Sequence, residues 1–188
     1  MAKGYTQSYG VDYQEMFAPV AKLNTVRILL SLATNQDWPL LQFVVKNPFL
    51  HATISEEIYM NSPPSMTDSI GMKVYKLKKT LYGLKQSTRA LFGRFTKSMK
   101  AFGYRASNSD YTLFLKRGKG RITALIIYVD DMIVTGNNQD EIFTLQRYLA
   151  SDFERKQLGN LKYLLGIEVA RSKHGIFLCQ RKYTIDLL

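Results

Sequence analysis

Apolar residues recur along the chain at two intervals, one of helices and one of strands. Val26, Leu29, Leu30 and Ala33 lie three and four apart, which predicts an amphipathic helix over 25–35, closed off by Pro39. Leu91, Phe92, Phe95, Met99 and Phe102 predict a second helix over 87–102, with Gly103 placed where a left-handed cap would stop it. Asn138 and Glu141 have the spacing of a capping box, ahead of Ile142, Leu145 and Leu149 on the buried face of a third helix. Short apolar runs predict strands at 40–45, 58–60, 74–77, 112–115, 122–129 and 132–134, with 163–169 and 176–179 as a last hairpin. Lys46-Asn47-Pro48 ends the first of these, because proline has no N–H to give a ladder. Residues 1–23 show no clear element, and a Pro-rich loop is expected over 63–71. The order βα, ββ, α, ββ places the chain in the α+β or α/β class, with a mixed or antiparallel sheet and helices packed on one face. The strand 124–129 is apolar on both sides and so belongs in the middle of the layers.

One stretch breaks the pattern. Ile126 to Val134 reads IIYVDDMIV, two adjacent aspartates inside a run otherwise made for burial. Taking an ionised carboxylate out of water costs several kcal/mol, roughly, even after relaxation, so the pair must be satisfied somehow. The pattern predicts a tight hairpin with Asp130 and Asp131 at its tip. Two readings remain open: turn aspartates pointing to water, or carboxylates that share divalent metal with phosphate oxygens.

Composition bears on that choice. The 188 residues carry 26 Lys and Arg against 15 Asp and Glu, a formal charge of +11, which suggests a polyanionic partner such as nucleic acid. Cys179 is the single cysteine, so no intramolecular disulfide forms and a reducing compartment is expected; its Ile-Phe-Leu-Cys setting reads as a buried strand thiol. His51 and His174 are far apart, with no zinc-ligand spacing. The sequence shows no basic start followed by an apolar stretch and a cleavage site, and no apolar run approaches the ~18 residues that would cross a membrane, so neither secretion nor membrane spanning is expected.

Six segments together resemble one family. AKGYTQ at Ala2, GVDYQEMFAPVAKLNTVR from Gly10, LYGLKQS from Leu81, SNSDYTLF from Ser107, YVDDMIVTG from Tyr128 and YLLGIEVARS from Tyr163 are similar, in the same order, to the reverse transcriptase of copia-type retrotransposon polyproteins. The resemblance implies a right-hand polymerase palm that copies RNA or DNA template-primer into DNA from dNTPs. Three aspartates would then hold two Mg²⁺ ions, Mn²⁺ being a substitute, with Asp130 and Asp131 as two of the catalytic metal ligands.

The third departs from the pattern. The family stretch Phe-Asp-Val-Lys-Asn-Ala-Phe-Leu-His-Gly stands here as Phe43-Val44-Val45-Lys46-Asn47-Pro48-Phe49-Leu50-His51-Ala52, so Val44 occupies the first catalytic aspartate's place. Metal binding is expected to be weakened and the copy inactive; a ligand worth ~4 kcal/mol in the transition state is roughly a thousandfold in rate. Glu56 and Glu57 lie beyond the motif with no evident geometry for rescue. Pro48 removes an N–H next to the expected triphosphate cradle. The resemblance further implies nucleotide contacts at Asn47, Phe49, Gly83, Gln86, Tyr128, Val129 and Lys156, and a primer grip at Leu165, Gly166 and Ile167. Thr88 and Leu91 stand where the family usually has Pro and Trp.

The expected organisation is a remnant of fingers over 1–23, palm over 24–169, the primer-grip hairpin over 163–180 and a stub of thumb helix over 181–188, too short to be helical unaided. With partial fingers and no complete thumb, the chain reads as a truncated, decayed copy. An intracellular site, cytoplasmic or within a particle, follows from the family alone. The rival expectation is a basic nucleic-acid-binding fragment without catalysis.

Overall fold

The computed structural model describes residues 2–61, 74–164, 166–172 and 175–187. The expected 63–71 loop, Leu165, His174 and Leu188 lie outside them. In chain order the elements are α1 (Leu23–Asn35), β1 (Leu40–Val45), β2 (Tyr59–Asn61), β3 (Val74–Lys76), α2 (Ser87–Ala101), β4 (Arg105–Ala106), β5 (Leu113–Gly118), β6 (Arg121–Tyr128), β7 (Asp131–Gly136), α3 (Gln139–Asp152), β8 (Arg155–Asn160), β9 (Tyr163–Leu164), β10 (Ile167–Ser172), β11 (Gly175–Cys179) and α4 (Arg181–Asp186). The chain forms two compact units: 1–19 with 47–97, and 20–46 with 98–188. The stretch 24–169 that the family pattern suggests as palm is thus shared between them.

The larger unit is built on a six-stranded sheet in the order β4-β5-β6-β7-β1-β8, with every ladder antiparallel. Alternation sorts its side chains into two faces. Leu40, Ala124, Ile126 and Ile133 share one face and pack with Val26, Leu29, Leu30 and Ala33 of α1 and with Leu161, Leu164 and Val169. On the other face Phe43, Phe114, Leu125, Met132 and Val134 are fully buried. There α3 is held at its first turn and at its middle: Glu141 accepts from Lys116 Nζ at 2.9 Å, and Gln146 O accepts from Arg155, whose guanidinium lies 4.7 Å from the Phe43 ring.

Helices therefore cover both faces of the sheet, which corrects the expectation of one. The cause lies in β6 and β7: their consecutive apolar residues point both ways, and each side needs cover worth about 1.5–3 kcal/mol per large side chain buried.

The N-cap half of the expected capping box forms, with Glu141 N donating to Asn138 Oδ1 at 3.3 Å, while the Glu141 carboxylate accepts from Lys116 and Tyr104. Gly103 has φ +88°, and Tyr104 N returns to Met99 O at 2.9 Å, closing α2 with a left-handed cap. The run 163–169 is not one strand. It folds back at Gly166 (φ +77°), so that β9 pairs with β10 and β10 with β11 in a separate three-stranded sheet. Cys179 is half-buried rather than buried, its Sγ 3.3 Å from Glu168 Oε2. Residues 181–186 are helical, which a segment so short achieves by packing beside β10.

The smaller unit holds the β2–β3 ladder and short 3₁₀ turns at Gly4–Thr6 and Pro48–His51. Gly4 passes so close to Gly83 that a Cβ there would sit 1.9 Å from the Gly83 carbonyl oxygen. No helix among the described residues is long and apolar enough to cross a membrane.

Candidate active site

The β6–β7 hairpin closes in two residues. Tyr128 pairs with Asp131, leaving Val129 and Asp130 as the loop. Val129 has φ +54°, and Asp130 is not among the positive-φ residues, the pattern of a turn that normally places glycine first. A branched side chain at positive φ costs on the order of 1–2 kcal/mol. Val129 is 39% exposed, so little burial offsets that strain. Strain held at a turn that also carries two acids is the combination expected at a functional site.

The neighbouring strand fixes the turn. Val45 N donates to Asp130 O at 3.0 Å, and the ladder sets Val44 directly opposite Asp131. Opposed residues of this kind place their Cβ atoms about 4.5–5.5 Å apart. On its other side Val44 pairs with Lys156 of β8, an exposed lysine. Asp131, Val44 and Lys156 thus form a row across three strands, with Tyr128 alongside and Val129 and Asp130 at the turn.

Asp131 is half-buried, and burial pushes its carboxyl above the ordinary range; a hydrogen bond from Gln42 pulls the other way, and the charge of Asp130 adds to the rise. Gln42 is 5% exposed. Its Nε2 donates to Asp131 Oδ1 at 3.3 Å and to Tyr163 O at 2.9 Å, joining the acid to the strand before the β9–β10 turn. The sequence reading missed this residue. The signal was present: Gln42 is the one polar side chain in LLQFVV, and a lone buried amide needs partners as much as the aspartates do.

The remaining candidates have their own settings. In the smaller unit Asn47 (φ +46°) starts the 3₁₀ turn with Pro48 first, a position where a missing N–H is tolerated. Phe49 meets Tyr82 edge-on at 5.7 Å between ring centroids, and its carbonyl accepts from Thr80 Oγ1. Gly83 has φ +98°. Gln86 is buried, donating to Asp12 O and accepting from Gln7 Nε2, each at 3.1 Å. Glu57 is held by Lys76 and Tyr59 at 2.6 Å each. In the larger unit Gly166 and Ile167 form the turn and first residue of β10, while Leu165 lies outside the described residues.

Among the described residues no group of three or more acidic, histidine or cysteine side chains gathers as a metal site would. Asp130 and Asp131 can supply part of one divalent ion's shell, the rest falling to phosphate oxygens and water. A pair of ions does not fit, because residue 44 presents only methyl groups.

The comparisons agree with one another. The model of the family described as reverse transcriptase (RNA-dependent DNA polymerase) matches residues 1–188. The Retrovirus-related Pol polyproteins from transposons RE1 and RE2 of Arabidopsis thaliana are 41% and 40% identical over 190 residues, covering 100% of this chain and 13% of each polyprotein. That from transposon TNT 1-94 of Nicotiana tabacum is 37% identical over 188 residues, 97% of this chain and 14% of its own length. The chain thus spans about an eighth of these relatives. With the acidic hairpin, the β1 partner strand and full-length similarity in place, the chain belongs to the reverse transcriptase (RNA-dependent DNA polymerase) family, in its copia-type Pol polyprotein branch.

Proposed function

We propose that this chain carries the palm of a copia-type RNA-directed DNA polymerase and that, as it stands, it does not transfer nucleotides. Asp130 and Asp131 act as the metal-holding carboxylates, Lys156 faces the leaving pyrophosphate, and the β9–β10 turn at Gly166 and Ile167 steadies the primer end. The reading rests above all on the placement of Val44 opposite Asp131. A third carboxylate at that position would lie beside the existing pair, and the aliphatic side chain there leaves two dications short of a ligand. Divalent metal, when bound, would lower the pKa of the primer hydroxyl and neutralise phosphate charge. The chain's own part is to hold Asp131 through Gln42 and to aim the turn through Val45 N.

Primer extension with Mg²⁺ or Mn²⁺ tests this. The unaltered chain should incorporate no dNTP, and Val44→Asp with Pro48→Ala should restore incorporation that Asp130→Ala abolishes. Robust extension by the unaltered chain, lost on Asp130→Ala, would overturn the inactive reading. The +11 charge favours a second reading, a domain that binds nucleic acid without catalysis; its mark is affinity for a primer–template duplex that falls steeply with salt.

A further inference from the structure

The β5–β6 hairpin carries an unusual concentration of positive charge at the end of the sheet remote from the aspartates. Residues 116–121 read KRGKGR, four cations in six positions with no acid among them. Gly118 pairs with Arg121, so the loop is Lys119-Gly120, both at positive φ (+50° and +73°), a rigid two-residue turn. Asn, Asp or Gly normally fills the first loop position. Lys119 holds it instead, accepting a backbone penalty that places an ammonium at the tip. Around Gly118 and Gly120 a Cβ would meet nothing within 4 Å, so the tip stands open.

Beside it lies a groove of about 640 Å³, bounded by the hairpin cations and the first turn of α3. The cations differ in how far they are committed. Lys116 is bound to Glu141 at 2.9 Å and lies 4.6 Å from the Phe102 ring centroid, so it is part of the packing. Arg121 reaches Asp140 at 3.5 Å, but both side chains are well exposed, and a pair of that kind is held weakly and exchanges readily. Arg117 and Lys119 enter no ion pair recorded among the described residues. Asp140 and Glu141 at the start of α3 would repel an anion from the helix end, which leaves the hairpin side as the receptive one.

We propose that Arg117, Lys119 and Arg121 form a nucleic-acid backbone contact distinct from the catalytic turn, gripping successive phosphates of a duplex through charge rather than base identity. Strand β6 joins the two places: Arg121 opens it and Tyr128 ends it at the turn. At roughly 3.3 Å per residue they are about 23 Å apart. The contact adds to the template-primer reading above without depending on chemistry at the aspartates. An acidic protein segment is the alternative occupant, but the spread of the cations along an open hairpin edge suits an extended line of phosphates better.

The test uses the 188-residue chain, a fluorescein-labelled 20-base-pair DNA duplex and anisotropy titrations across a salt series. Arg117→Ala with Lys119→Ala should reduce the slope of log affinity against log salt by about two and weaken binding on the order of fiftyfold at 0.1 M salt. Arg27→Ala with Lys162→Ala, an equal charge change at exposed sites on α1 and just before β9, should leave the slope nearly unaltered. Circular dichroism establishes that each variant is folded. The proposal falls if the chain binds no duplex at low salt, if the tip variant keeps the parent slope, if the control pair loses as much, or if polyglutamate displaces the duplex as well as unlabelled DNA does. Failure of Val44→Asp to restore polymerisation would leave these binding results intact, so the two readings fail separately.

Discussion

Val44 and Asp131 face each other across the antiparallel β1–β7 ladder, an aliphatic side chain set against a half-buried acid. On the proposed function, position 44 is where a third carboxylate would stand beside Asp130 and Asp131.

Restoring that ligand should show in stability before any chemistry is measured. Val44→Asp brings a second carboxylate within about 5 Å of Asp131, and without metal it should cost about 1–3 kcal/mol through repulsion and desolvation. Millimolar Mg²⁺ should return much of this, since saturation at a hundred times Kd is worth about 2.7 kcal/mol. Thermal melts with and without Mg²⁺ check it; a variant that ignores the ion would show that position 44 does not share a site with Asp131.

Gln42 should be as important to the fold as the apolar residues beside it. Gln42→Leu keeps the volume but takes the Gln42 Nε2 donor away from Asp131 Oδ1 and Tyr163 O, at about 1–3 kcal/mol. A urea midpoint and amide exchange over 163–169 report the change, and a midpoint equal to the parent's would refute the bridging role.

Burial keeps Asp131 protonated to a higher pH than in the unfolded chain, against the Gln42 hydrogen bond and with the help of Asp130. The folded state therefore binds more protons between the two pKa values, and this group's contribution falls as pH rises from about 4 through the folded value. Asp131→Asn should be more stable than the parent near about pH 7, with the gap closing towards about pH 4. Calorimetric melts at the two pH values decide, and a variant less stable at neutral pH would contradict the burial cost.

Asp110 behaves in the opposite sense. Burial opposes its ionisation, yet bonds from Thr112, from Thr25 and from the N–H groups of Lys22 and Thr112 outweigh it and hold the carboxyl below the usual range. Its stabilisation is complete above the unfolded pKa and is lost as pH falls through the folded one. Asp110→Asn should lose about 1–3 kcal/mol near neutrality and show a shallower acid limb in urea titrations against pH. An unchanged acid limb would rule Asp110 out as its source.

Much of this was legible in the sequence where local signals were strong. Pro39 and Pro48 bracket β1, and the apolar positions between them leave little choice of structure. The Asn138–Glu141 cap and the Gly103 stop declare themselves by residue type and spacing. Strand β8 does not, because Arg155–Asn160 reads RKQLGN and pairs through its backbone, with a register shift opposite Gln42 and Phe43. The fold-back at Gly166 was hidden for a similar reason: one apolar run supplies both β9 and β10, and only the glycine marks the break. The hairpin aspartates and the substitution at 44 were readable because acids in an apolar run, and valine in an acid's place, are chemical contradictions. Gln42 obeyed the same logic and passed unnoticed beside louder neighbours.

The strand that bears Val44 stays paired with β7 and β8 on either side, with a register shift on the β8 side, so valine sits at this position without breaking either ladder. In the genetic code a valine codon becomes an aspartate or glutamate codon by changing its middle base alone. On the proposed function, an acid at 44 and the valine now there can therefore be a single nucleotide apart, and a change at that base would meet a strand already paired on both sides.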